Sequence, residues 1–329
     1  MTALHLANLS LAQFRSYAGA RLTFDGRPVV LWGPNGAGKT NILEAISLLS
    51  PGRGLRGAQA TELARMPGDL GWRIRAEIMS GEVSSAIALT GEPGGRRRVE
   101  IDGKAETQSA LGRLVPMLWL TPAMDRLWID GAEARRRFVD RAALSFRPGH
   151  GQATLRYERA MRERNRLLKE GLAEPGWLDA LEAQMAEAGV AIASARVHSV
   201  QRLMDAQKDA KTLFPNADIS MIGRMENAFQ SGDAPPAGAD SGTALQTVEI
   251  AAEFRATLAR GRDADARAGR TLNGPHRSDL DVVMAQKGVP ARQCSTGEQK
   301  ALLLSLVLAN ARALAISGAT AVVLLDEVA

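Results

Sequence analysis

Gly33-Pro34-Asn35-Gly36-Ala37-Gly38-Lys39-Thr40 carries the clearest chemistry in the 329-residue chain. It fits G-x-x-x-x-G-K-[ST], a loop whose backbone N–H groups converge on phosphate oxygens. The apolar run Val29-Val30-Leu31-Trp32 before it reads as a buried strand, and Asn41–Leu49 after it has helical spacing through Ile42, Ala45, Ile46 and Leu49. The start of that helix adds unpaired N–H donors and the positive end of its dipole, with Asn41 in the first turn. Lys39 supplies a point charge to the outer phosphates, and the Thr40 hydroxyl is a ligand for Mg²⁺.

A second acidic centre stands far along the chain. Ala321-Val322-Val323-Leu324-Leu325 is an apolar strand ending in Asp326 and Glu327. Placed beside the phosphate-loop strand in a parallel sheet, it would bring Asp326 to the metal and Glu327 to an attacking water as general base. Shortly before it, Ser295-Thr296-Gly297-Glu298-Gln299 opens a helix. Two readings of this segment stand: a γ-phosphate grip using Ser295, Gly297 and Gln299, or a helix cap with Ser295 as N-cap and Glu298 at the third position.

The elements between them set the architecture. Strand patterns occupy Leu4 to Phe24, Trp72–Met79, Ser85–Thr90, Arg97–Ile101 and Val115–Leu120, with a hairpin turn at Asp102-Gly103. From Gly131 to Ala210 the chain is helical. Leu178, Leu181, Met185, Ala188, Ile192 and Ala195 alternate by three and four residues, forming a heptad seam. Tyr157, Ala160, Met161, Leu167 and Leu168 share a face of the preceding helix, and Gly171–Gly176 turns one helix back on the other. Ser231–Thr243 is a Gly/Pro-rich linker before a helix from Leu245 to Arg260. Strand 280–284, helix 297–313 and strand 321–325 close the chain. The fold class is therefore α/β with a helical insertion: a head in residues 1–121, an arm in 122–266, and the rest of the head in 267–329.

Composition narrows the function. Hydrophobic residues at 45% and charged residues at 23% exclude a fibrous or wholly disordered chain. Lys and Arg outnumber Asp and Glu by 41 to 36, which permits a polyanionic partner without requiring one. A lone cysteine, Cys294, excludes an internal disulfide and favours a reducing cytoplasm. Neither a membrane-spanning run nor a signal-peptide pattern is apparent, so no membrane partner is expected.

Phosphate loop, signature helix and acidic strand, in this order, resemble ABC-type ATPases. Further segments extend the likeness to the RecF family of SMC-like ATPases: Gln13-Phe14-Arg15-Ser16-Tyr17, Gly38 to Ile46, Thr121 to Asp140, Tyr157 to Lys169, and Asn273 to Leu280 (NGPHRSDL). The resemblance implies an ABC/SMC-type head that binds ATP with Mg²⁺ between two copies, so that ATP favours a homodimer. It implies that Gly33 to Asn41 hold the nucleotide, Thr40 and Asp326 the Mg²⁺, Lys39 and Glu327 the catalytic roles, and Ser295 to Gln299 the contact from the other copy. Arg15 and Ser16 lie near the nucleotide on this reading, and Gln59 is a candidate for the glutamine that ligates Mg²⁺. The family binds double-stranded or gapped DNA, works with RecR and RecO to help load RecA, serves repair, replication restart and the SOS response, and has weak DNA-stimulated ATPase activity. Heads of this class continue past the acidic pair into a D-loop and a switch histidine; this chain ends at Ala329, and a C-terminally truncated head is expected.

Basic residues cluster at Arg96 to Arg98, at Arg135 to Arg137 with Arg141, and along Arg156, Arg159, Arg162, Arg164, Arg166 and Lys169. The last set is interleaved with Glu158, Glu163 and Glu170, so paired solvated charges compete with DNA contact as its role. Few aromatics accompany them, which favours duplex backbone binding over base stacking. His276 reads as a structural group. A transporter-type ATPase subunit and a non-hydrolysing ATP-binding scaffold are the alternative functions.

Overall fold

The structure, a computed structural model, describes residues 4–66, 70–171, 174–208, 210–231 and 240–327. The chain folds as two compact units, Met1–Met124 with Asn310–Ala329, and Asp125–Ala309.

The first unit begins with strands whose alternate side chains are buried. β1 (Leu4–Phe14) pairs antiparallel with β2 (Tyr17–Thr23) on one side and β3 (Trp72–Ser80) on the other. β4 (Val83–Gly91), β5 (Arg98–Ile101) and β6 (Lys104–Glu106) complete a sheet of order β2-β1-β3-β4-β5-β6. The β5–β6 turn falls at Asp102-Gly103 as expected, with φ of 50° and 76°. Positive φ at both central residues matches the twist of the flanking strands.

One face of this sheet forms a core with α1 (Lys39–Ser47), the helix after the phosphate loop. Leu9, Leu11, Phe14, Ile74, Ile87 and Leu89 pack there with Ala45, Leu48 and Leu49. Each large side chain so buried contributes about 1.5–3 kcal/mol relative to exposure. The rigid sheet thus fixes the helix that follows the loop.

The acidic strand has a different neighbour from the one expected. β11 (Val322–Leu325) pairs in parallel with β7 (Met117–Leu120), which follows the short helix α2 (Leu111–Leu114). The run before the phosphate loop forms no strand, and Val29, Val30 and Trp32 are 52%, 83% and 88% exposed. An apolar run becomes an interior strand only where neighbours take its backbone groups and cover its faces. Among the described residues no strand does so here. The expectation that the two strands lie side by side is corrected accordingly.

The second unit is built on helices α3 (Ala132–Phe146), α4 (His150–Glu170) and α5 (Pro175–Lys208). All six residues of the heptad seam on α5 are buried, with Tyr157, Ala160 and Leu167 of α4 in the same core. The turn between these helices begins at Gly171 with φ 66°; residues 172–173 lie outside the described residues. A three-stranded sheet of β8 (Ala217–Ile222), β9 (Asp279–Met284) and β10 (Val289–Pro290) accompanies them. β8 was missed in the sequence, although Ala217, Ile219 and Met221 alternate as a half-buried strand should. Helices α6 (Arg224–Ser231), α7 (Asp240–Arg260) and α8 (Arg262–Ala268) fill the rest of the unit. Most of the expected linker, residues 232–239, lies outside the described residues.

α9 (Thr296–Ile316) is long and apolar enough to cross a membrane by length and composition. Its Leu302, Leu303, Leu306, Val307, Ala309, Ala313 and Leu314 are buried in the protein, which is the pattern of a core helix.

Candidate functional site

The phosphate-loop sequence folds as a tight loop closing on α1. Gly33, Gly36 and Gly38 have φ of 150°, 82° and 93°, and Gly38 is the N-cap of the helix. Gly38 is required twice over. A Cβ there would lie 2.6 Å from the Tyr17 hydroxyl and 3.0 Å from Ser16 Oγ, in a backbone conformation that side chains disfavour. The Lys39 ammonium donates to the carbonyl oxygens of Gly33 (2.8 Å) and Pro34 (3.0 Å), so its charge sits over the loop.

Thr40 meets the acidic strand. Its hydroxyl donates to Asp326 Oδ1 at 3.2 Å, and the Asp326 amide is held by the Leu120 carbonyl at 2.9 Å. Parallel pairing with β7 therefore aims Asp326 at the first turn of α1. The two oxygens are hard donors of the kind Mg²⁺ takes while keeping several waters and phosphate oxygens, so they fit that ion. Glu327 follows, exposed and at φ 50°.

A buried carboxylate organises the far side of the loop. Glu44 is wholly buried in α1 and receives two arginines: Arg15 through Nε (2.9 Å) and Nη2 (2.7 Å), and Arg56 through Nη1 (3.1 Å). Arg56 also donates to Asn41 Oδ1, and Asn41 Nδ2 donates to Ser16 Oγ, each at 2.8 Å. Arg15, Ser16 and Asn41 thus lie around the loop. Arg56 and Glu44 were missed; a carboxylate on the apolar face of an amphipathic helix was the available signal. Gln59 caps a short 3₁₀ turn, its amide nitrogen of the backbone donating to Glu62 Oε2 at 2.6 Å.

The signature segment lies in the second unit and forms the helix cap. The Glu298 amide donates to Ser295 Oγ at 3.4 Å, while Glu298 Oε2 accepts from the Ser295 amide and hydroxyl at 2.9 Å each. Lys287 also pairs with Glu298. The bond from Lys287 and those from Ser295 hold the Glu298 carboxyl down at about 2. Gly297 is exposed, but Gln299 is buried, its amide donating to the Cys294 carbonyl and its own backbone carbonyl accepting from Trp128 Nε1, both at 2.9 Å. The Gln299 side chain is thus used internally.

Most basic residues singled out in the sequence have internal partners. Arg97 reaches Gly52 O (2.8 Å) and Gln108 Oε1 (2.6 Å), and burial lowers its pKa to about 10. Arg135 makes a two-pronged pair with Asp279 at 2.7 and 2.8 Å, and Arg136 bonds the Ser278 carbonyl. Arg156, Arg162 and Arg166 pair with neighbouring glutamates, while Arg164 is wholly buried between Glu182 and Asp265. His276 Nε2 donates to the Thr271 carbonyl and its Nδ1 bonds the Tyr157 hydroxyl inside the unit, as a structural group.

Residues 5–329 match the model of the RecF/RecN/SMC N terminal domain. A protein of Mesorhizobium japonicum named DNA replication and repair protein RecF is 48% identical over 334 residues, covering 99% of this chain and 84% of its own. The chain belongs to the RecF family. A RecF of Brucella suis is 43% identical, with 98% and 83% covered. RecF solved as a recombination mediator protein of the RecFOR pathway with ATP superposes with a TM-score of 0.82 at 22% identity, covering 99% of this chain and 87% of that one. That likeness establishes the α/β fold of RecF heads for this chain.

Proposed function

We propose that this chain is an ATP-gated DNA-binding protein of recombinational repair and replication restart. The observation that carries the reading is the meeting of Thr40 and Asp326, which supplies both metal-facing oxygens of a P-loop nucleotide site. Gly33 to Asn41 would bind the triphosphate of ATP, with Lys39 on its outer phosphates. Thr40 and Asp326 would hold Mg²⁺, which when bound neutralises charge on the phosphate oxygens. Glu327 orients the attacking water. Ser295 and Gly297 of a second copy complete the site, so ATP favours the homodimer. The RecFOR pathway named for the RecF structure supports RecO and RecR as partners; double-stranded or gapped DNA as substrate and RecA loading as the outcome follow from the family resemblance alone. The cytoplasm is the matching location.

Gel filtration and duplex binding with ATP, with ADP, and with Lys39→Ala test this. ATP alone should produce a dimer and tighten DNA binding in the unaltered protein, and the variant should show neither. Equal DNA binding under all three conditions would defeat the reading.

A further inference from the structure

β3 turns Arg73 and Arg75 to the sheet face opposite the core, because Trp72, Ile74 and Ala76 between them are buried. Ser10 on β1 is the register partner of Arg75 on β3 and of Arg21 on β2. Arg21 and Arg75 therefore flank Ser10 on one exposed surface. Adjacent strands lie about 4.8 Å apart and alternate residues about 6.7 Å, which sets the three guanidiniums within one small area. Ala12 stands opposite Arg73, and Ala88 and Thr90 of β4 stand opposite Arg75 and Arg73. Beside Arg73, a shallow cleft of about 530 Å³ is lined by Arg21, Ser10, Arg75, Ala88, Glu77 and Glu100.

Arg21, Arg73 and Arg75 are all exposed. Among the described residues none of them makes an ion pair, whereas Arg15, Arg56, Arg98 and Arg135 each have a carboxylate. Two carboxylates line the same cleft at its other end, Glu77 farther along β3 and Glu100 on β5 opposite Ala88. Glu77 is kept ionised by donors from Ser84 and Asn8. The charge is therefore polarised, cationic toward β2 and the Trp72 end of β3.

An acidic protein partner would need anchor pockets for large side chains, and single strands would need aromatic rings for stacking. No aromatic residue lines the cleft of this face, and the cleft is shallow and walled mostly by small or charged side chains. A regular array of phosphates needs only guanidiniums on an open, flat floor. We propose that the outer face of this sheet, through Arg21, Arg73 and Arg75, binds the phosphate backbone of a nucleic-acid duplex. The proposal rests on the DNA-binding reading above and names its surface.

The test is the salt dependence of duplex DNA binding, by fluorescence anisotropy with MgATP. The unaltered protein, the triple variant Arg21→Ala/Arg73→Ala/Arg75→Ala and Glu100→Lys are compared. Losing three phosphate contacts should flatten the log–log salt slope by about 2.7, and the added lysine should steepen it by about 0.9 and tighten binding. MgATP affinity should not change in either variant. A gain in Glu100→Lys cannot come from misfolding, so it decides the matter if the triple variant folds poorly. An unchanged slope in both variants, with DNA still bound, would overturn this surface alone. No duplex binding by the unaltered protein would overturn the DNA-binding reading and this surface with it.

Discussion

Thr40 Oγ1 donates to Asp326 Oδ1 across 3.2 Å, joining the first turn of α1 to the end of β11. Two residues at opposite ends of the chain thus share one corner of the first unit. If that corner holds Mg²⁺, Asp326→Ala and Thr40→Val should each weaken ATP binding at least about tenfold in Mg²⁺, a loss of about 1.4 kcal/mol. In EDTA their affinities should match that of the unaltered protein. Titration calorimetry in the two buffers reads the difference, and equal losses in both would refute the metal role.

Gly38→Ala should destroy the loop. The new Cβ meets Tyr17 at 2.6 Å and the φ of 93° is unfavourable to it. The backbone contribution alone is about 1–3 kcal/mol. Nucleotide binding should fall below detection, and adding Tyr17→Ala should restore it only in part, since relief of the clash leaves the backbone cost.

The second unit depends on Arg164. Its guanidinium bonds Glu182 (2.9 Å), Asp265 (2.7 Å) and the Leu258 carbonyl (2.9 Å), with no exposed surface. Arg164→Ala leaves the buried Asp265 without a cation, while Glu182 keeps Arg262, and should cost about 3–5 kcal/mol. Exposed Arg137, paired with Glu133 one helical turn away, should cost less than about 1 kcal/mol when replaced by alanine. Urea unfolding of the two variants gives the comparison.

Acid stability should depend on Asp140. Burial alone would raise its pKa, but the bond from His150 and the charge of Arg196 outweigh it and bring the carboxyl to about 2, against 3.8 when unperturbed. A pKa depressed by folding stabilises fully above the unfolded value and is lost as pH falls toward the folded one. The contribution is about 2 kcal/mol, absent in Asp140→Asn. The urea midpoint of the variant should therefore fall less between pH 5 and pH 2.5 than that of the unaltered protein.

Much of this was legible in the sequence because it is local. The phosphate loop, the Asp102-Gly103 hairpin and the heptad seam on α5 follow from spacing and turn chemistry alone. The neighbour of β11 was not legible, since a parallel pair is set by long-range packing and Val29–Trp32 carries the same apolar signal as Met117–Leu120. The arginine clusters misled for a related reason. Arg97, Arg135 and Arg164 are spent on partners 11 to 144 positions away, whereas Arg21, Arg73 and Arg75 look scattered until the register of β1, β2 and β3 gathers them. Arg56 and Glu44 were invisible as a pair until α1 and the loop after it were folded together.

The central claim is that Thr40 and Asp326 hold the metal of a bound nucleotide. A crystal grown with a non-hydrolysable ATP analogue and Mn²⁺ in place of Mg²⁺ addresses it through the anomalous signal of manganese. The expected peak lies within direct ligand distance of Thr40 Oγ1, with Asp326 beside it and the triphosphate along Gly33 to Lys39. A manganese peak away from both side chains, with the nucleotide in place, would contradict it.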